Sequence, residues 1–254
     1  MKVIILLTAL VTVYGWTTMA PEENIWGNMS LEEWSQTYLM QIDETLDTSP
    51  PVFRGDVSEL DAMLGDDDVY DIRDTDMGYC IGDVRDQGAC GACWAFAVAE
   101  VAEDKWCWET GEAGLVFSTQ HLMDCDTEEF GCMGAITQNV IKWVGRNELV
   151  EEACYPYLAR QQDGCYKDGC REYHVKDDRI IEGFTADILT VAKETYATGP
   201  VYVSMQVMSD FFSYKEGIFF SKTNRNQGGH AVELVGFGKI PEDDEAYDAS
   251  DETK

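Results

Sequence analysis

Cys90-Gly91-Ala92-Cys93-Trp94-Ala95-Phe96 places a cysteine at the head of an alanine-rich amphipathic run. The run extends to about Trp108, with Phe96 and Val101 on an apolar side and Glu103, Asp104 and Lys105 read as a wet face. That spacing predicts a helix that opens at or near Cys93. The first turn of a helix has unpaired N–H groups and the positive end of the helix dipole. Both favour thiolate over thiol, and the thiolate is the nucleophilic form. Cys93 is therefore the candidate nucleophile.

A chain of 254 residues with 45% hydrophobic content has room for one two-lobed domain or two small ones. Its 18 basic and 48 acidic residues give a net charge of −30. Phosphate binding requires clustered Lys and Arg, so nucleic acid is excluded as a partner. The surplus of carboxylates reads first as a solvated surface, and an acidic compartment would ease its self-repulsion. Lys2 followed by the apolar run Val3 to Val13 has the make-up of a secretory leader too short to span a bilayer, with residues 1–20 as its extent. The expectation is a lysosomal, vacuolar or extracellular protein without a membrane span. Nine cysteines suit an oxidising compartment, and an odd number leaves one thiol over, read here as Cys93.

Residues 21–68 are acidic and free of cysteine. Ser30 with Glu33 forms a capping-box pattern ahead of a short amphipathic run, Pro50-Pro51 interrupts the chain, and Gly65-Asp66-Asp67-Asp68 reads as an exposed joint. A removable propeptide fits this stretch, a plain disordered leader being the alternative. Beyond it the pattern favours helices first: one capped by Ser118 through Asp124, and one carrying Ile136, Val140, Trp143 and Val144 that stops at Gly145. Past Cys170 it turns towards strands. Asp187 caps one further helix that ends at Gly199-Pro200, and Val201 to Val207, Ile218 to Phe220 and His230 to Phe237 are the strand candidates.

Thiol hydrolysis of an acyl bond needs a thiolate, a proton carrier and donors for the oxyanion. Three histidines compete for the second role. His121, in a helix ahead of Cys125, reads as a surface or capping residue, and His174, in a charged stretch, as solvated. His230 follows Gly228-Gly229 at the start of an alternating apolar strand, 137 residues after Cys93, and is the candidate base. The backbone N–H of Cys93 and the side-chain amide of Gln87, turned inward at Gly88, are the candidate oxyanion donors. No cofactor or metal is expected.

Several stretches together resemble papain-family cysteine proteases, and the cathepsin B-like branch most closely. They are Asp71-Ile72-Arg73, Val84 to Phe96, Gly131-Cys132-Met133-Gly134, Gly199-Pro200-Val201 and Gly228-Gly229-His230-Ala231-Val232. The resemblance covers about Tyr70 to Gly238. It implies an α+β, two-lobed papain-like fold, a helical lobe facing a β-barrel lobe, with Cys93 and His230 across the cleft. It implies substrate-binding roles for Gly91, Met133, Gly134, Ala135 and Gly229, and a propeptide lying in the cleft. The partners it implies are peptide or protein substrates, the chain's own propeptide and cystatin-type inhibitors. It also implies disulfides Cys80–Cys107, Cys90–Cys132, Cys125–Cys165 and Cys154–Cys170.

The sequence departs from the family pattern in three places. No asparagine or tryptophan follows His230, so the Asn-Ser-Trp region that orients the imidazole is missing, and the peptidase domain, residues 69–254, reads as truncated or diverged after about 238. The β-barrel lobe is accordingly expected to be incomplete, with exposed sheet edges. The family's Gly-Gly wall reads Gly134-Ala135, and no paired histidines stand between Cys165 and Arg179, which points to endopeptidase action. Three readings stay open: a working cysteine endopeptidase made as a secretory zymogen, an impaired pseudoprotease that binds peptides or inhibitors, and an incomplete gene product.

Overall fold

A computed structural model of the chain describes residues 3–7, 16–18, 29–39, 57–65, 69–175, 188–223 and 225–240. Two short strands come first, β1 (Val3–Leu7) and β2 (Trp16–Thr18), then helices α1 (Leu31–Tyr38) and α2 (Val57–Leu64) and strand β3 (Val69–Asp71). Ser30 and Glu33 close the reciprocal capping box of α1, each side chain accepting the other's backbone N–H, at 3.2 and 2.8 Å.

The helical lobe is built around α3 (Cys93–Thr110). Every residue from Cys93 to Ala99 is buried, so this helix is the centre of the core and not its rim. Gly111 ends it at φ +75°, returning its N–H to the Cys107 carbonyl at 2.7 Å. Two helices flank it, α4 (Thr119–Cys125), capped by Ser118, and α5 (Thr137–Val144), ending at Gly145. Trp94, Phe117, Leu122, Met123, Val140 and Leu149 fill the space between them. A small pair, β4 (Leu149–Val150) with β5 (Glu172–Tyr173), closes the far side. The disulfides are Cys80–Cys107, Cys90–Cys132, Cys125–Cys165 and Cys154–Cys170, the pairs that the resemblance implies, and all lie in this lobe.

The second lobe holds α6 (Ile188–Thr198), β6 (Val201–Met208), β7 (Tyr214–Gly217) and the long β8 (Asn226–Lys239). β6 runs antiparallel to β8 from Val201 opposite Leu234 to Met208 opposite Asn226. β3 pairs with the far half of β8, and β1 pairs with that half as well, from Val3 opposite Lys239 to Leu7 opposite Leu234. The sheet order β1-β8-β3 gives this half of β8 a neighbour on each side. No closed barrel forms among the described residues. Leu60 and Leu64 of α2 pack with Leu189, Ala192 and Phe237 in a second core, and an ion pair joins Lys193 to Glu59.

Three expectations are corrected here. Glu103 and Asp104 are not on a wet face: they are 7% and 2% exposed, because the sheet packs on that side of α3. His121 is not at the surface. Its ring is buried between Trp143 and Tyr155, and burial pushes its pKa down to about 4. Ile218 to Phe220 form no strand; the strand is the preceding segment β7, and Phe219 packs its ring against Phe211 and Tyr214. Asn28, in a glycosylation pattern, and the Asp187 cap lie outside the described residues.

Candidate active site

Cys93 is the first residue of α3 and the one cysteine outside a disulfide among the described residues, 2% exposed. Its helix cap is Ala92, which has no side-chain oxygen to spend on the first turn. The amide dipoles there are thus left to act on whatever charge develops at the sulfur or beside it. The loop leading in is tightly wound. Cys90 donates its N–H to the Gly88 carbonyl and Ala92 its own to the Cys90 carbonyl, at 2.9 and 2.8 Å. Gly88 takes φ +57°, a conformation that glycine adopts without strain.

Gln87 belongs to this loop. Its side-chain Nε2 donates to the Cys90 carbonyl at 2.8 Å, which holds the amide beside the nucleophile's approach. Tyr157 steadies the loop from the other side, its hydroxyl donating to the Gln87 carbonyl at 2.7 Å and its ring meeting Phe96 edge-on. Nothing in the local sequence marks Tyr157 for this, since the contact joins two distant loops.

Gly91 touches the wall of the cleft. Its N–H donates to the Cys132 carbonyl at 2.9 Å, and a Cβ there would stand 2.5 Å from that oxygen and 3.3 Å from the carbonyl oxygen of Leu39. Both neighbours are backbone, so neither can swing aside. Gly91→Ala is therefore expected to lower stability by about 1–3 kcal/mol; an unchanged thermal midpoint would contradict it. Trp94 ties the wall to α3, its indole N–H reaching the Gly131 carbonyl at 2.9 Å. Beyond it Met133 is 61% exposed, Gly134 is buried at φ +111°, and Ala135 packs against the core of the helical lobe.

His230 lies on β8 opposite Met205 of β6, with Gly229 opposite Gln206. Its neighbour Ala231 belongs to the same core cluster as Cys93, Ala92 and Trp94, and β8 packs along α3. Nδ1 of His230 is buried with no hydrogen-bond partner, and burial pushes the ring's pKa down to about 4. The ring is therefore neutral in this form. His174 is exposed after β5. Nε2 and Nδ1 of His121 have no hydrogen-bond partner, and the two sulfurs beside its ring, Cys125 and Cys165, are spent on each other in a disulfide.

The segment ahead of the peptidase-like region also meets this cleft. Besides approaching Gly91, Leu39 is buried with Val207, and Met29, Leu31, Met205, Phe211 and Phe212 surround them.

A cysteine outside any disulfide heading a buried helix, an amide-bearing loop before it and a histidine preceded by two glycines on the strand packed against that helix agree with a family comparison. The papain family cysteine protease model matches residues 67–247. This chain belongs to that family. Among its relatives is Cathepsin B-like CP2 of Giardia intestinalis, 32% identical over 190 residues, which cover 70% of this chain and 61% of the relative. Cathepsin B of Dictyostelium discoideum is 28% identical over 178 residues, covering 63% of this chain and 57% of that one. The chain thus spans about three fifths of the length of these curated relatives. The same fold occurs in proCathepsin B S9 from Trypanosoma congolense, with TM-score 0.66 and 24% identity, covering 88% of this chain and 78% of the other. No helix among the described residues is long and apolar enough to cross a membrane.

Proposed function

We propose that this chain is a cysteine-type endopeptidase of the cathepsin B-like kind, made as a precursor that is silent until its propeptide leaves the cleft. The observation that carries this reading is the buried Cys93, outside any disulfide, at the head of α3, the helix that packs against the strand bearing His230. In the proposed reaction the Cys93 thiolate attacks a peptide carbonyl. The oxyanion is held by the Cys93 N–H and the Gln87 amide. His230, as imidazolium, protonates the leaving amine, and then as neutral imidazole takes a proton from the water that hydrolyses the thioester. Gly91, Met133, Gly134, Ala135 and Gly229 bind the substrate backbone alongside. Secretion into an acidic compartment, led by residues 1–20, completes the proposal.

Residues 21–68 are the propeptide in this reading, and Leu39 supports it by sitting against Gly91 and Met205. With that segment in place His230 is half-buried and neutral above about pH 4. Its withdrawal lets water reach the ring and raises the pKa towards the ordinary value near 6.5, so that the imidazolium can form beside a thiolate. The unpartnered Nδ1 of His230 favours a second reading: a pseudoprotease that binds peptides or cystatin-type inhibitors without turnover.

One experiment separates them. The full chain is held with a thiol reductant at about pH 5, given an active-site-directed epoxide, and assayed on a dipeptidyl fluorogenic substrate. Peptidase action requires labelling of Cys93 and turnover, both rising as residues before about 69 are cleaved off. Complete propeptide loss with inhibitor binding and no turnover leaves the pseudoprotease.

A further inference from the structure

The two elements that carry the proposed site, α3 and β8, meet along a face crowded with acid. Glu100, Glu103 and Asp104 come from α3, and Glu233 comes from β8, three residues past His230. Glu233 is 7% exposed, much like Glu103 and Asp104. Among the described residues one cation serves them. Arg85 pairs with Glu100 at 3.2 Å, stands 4.0 Å from Glu103, and spends Nη1 on the Phe117 carbonyl. Lys105, next along the helix, turns to Thr198 instead. Backbone donors cover part of the need: the Phe117 N–H reaches Glu103 at 2.8 Å, and the Gly82 N–H reaches both oxygens of Asp104 at 3.3 and 3.4 Å.

Glu233 receives no such help. Its Oε1 is buried without a partner, and its carboxyl group lies within hydrogen-bonding reach of Asp104. Tyr202 lies opposite Glu233 on β6, and burial keeps its hydroxyl neutral. A carboxylate only accepts hydrogen bonds, so two carboxyl groups in contact are bonded to each other only when one of them holds a proton. A shared proton turns this contact from a repulsion into a clasp between the lobes.

We propose that Asp104 and Glu233 share a proton that clasps α3 onto β8, making them positioning residues for Cys93 and His230, and that losing this proton lets the two elements part. The clause about positioning rests on the proposed peptidase activity; the clasp itself does not. The electrostatics agree with the geometry. Burial, first among the causes, pushes Asp104 up to about 7 and Glu103 up to about 8, and drives Glu233 and Glu100 upward as well. Each folded value lies above that of the unfolded chain, so the folded state binds more protons. The resulting stability is fully present below about pH 4 and is lost as pH rises through about 7 to 8.

The test is thermal unfolding of the full chain from pH 4.5 to 8.5, with epoxide labelling of Cys93, after cleavage of the residues before about 69, followed over the same range. For the unaltered chain the midpoint is expected to fall by on the order of 10 °C across that range, with labelling falling alongside. Glu233→Gln supplies a permanent amide donor to Asp104. It is expected to lose less than half as many degrees and to move the upper limb of the labelling profile up by about one pH unit. Asp104→Asn removes the same titration from the other side and serves if the first variant folds poorly. Parallel pH profiles in the unaltered chain and a folded variant would overturn the clasp, as would a midpoint flat from pH 5 to 8. A chain that melts as expected but never labels would sink the peptidase reading and leave the clasp standing.

Discussion

Cys93→Ala is expected to remove peptide hydrolysis, lowering kcat/KM by about 10⁴-fold or more, while the fold and its four disulfides remain. The sulfur is the one outside a disulfide among the cysteines of the described residues, so no neighbouring cysteine can stand in for it. His230→Ala should cost nearly as much alone, and the double variant scarcely more than either. Nucleophile and base act as a unit, and removing one idles the other. The remaining histidines offer no rescue. His121 is walled in by Trp143 and Tyr155, and His174 is exposed beyond the far strand pair. The measurement is turnover of a fluorogenic peptide at about pH 5 after propeptide removal. Near-full turnover by the His230 variant would mean that another group carries the proton, and costs that multiply in the double variant would mean two independent contributions.

What made Cys93 legible from sequence is local: a helix start can be read from the residues that flank it. The same holds for the Ser118 cap, the Gly145 end, the capping box at Ser30 and the presence of β6 and β8. These features depend on hydrogen bonds and burial within a few residues, and so they leave a local trace. The placement of Glu103 and Asp104 left no such trace. On a helix read alone, adjacent acids mark the solvent side. Here a strand more than a hundred residues later covers that side and brings a further acid, Glu233, to meet them. Tyr157 beneath Gln87 was hidden for the same reason, being a contact between loops. The Ile218 to Phe220 run misled because aromatic residues serve equally in a strand and in a ring cluster. In this chain the strand goes to Tyr214–Gly217, and Phe219 goes to the cluster. Leu39 against Gly91 is the contact that sequence alone could only imply by resemblance, since the prosegment's own pattern names no binding partner.

Removing the Cys90–Cys132 bridge by the double change Cys90→Ser and Cys132→Ser is expected to cost about 4 kcal/mol, from the chain entropy released by opening a long loop. The two cysteines are 42 residues apart, against 16 for Cys154–Cys170. On entropy alone, opening the shorter loop should cost about 3 kcal/mol, so the two double variants should melt within a few degrees of each other. Their effects on the site should differ sharply. Cys90 lends its carbonyl to Gln87 Nε2, and Cys132 lends its own to the Gly91 N–H. The bridge therefore fixes the oxyanion loop, the approach to Cys93 and the Met133–Gly134 wall to one another. With it gone, kcat/KM should drop about 10²-fold even at a temperature where the variant is fully folded, because a misplacement of about 1 Å is enough for a loss of that size. The Cys154→Ser and Cys170→Ser pair touches none of these groups, and its folded fraction should turn over substrate as the unaltered chain does. Equal losses of activity in the two variants would mean that the first bridge only holds the lobe together and does not set the geometry around the sulfur.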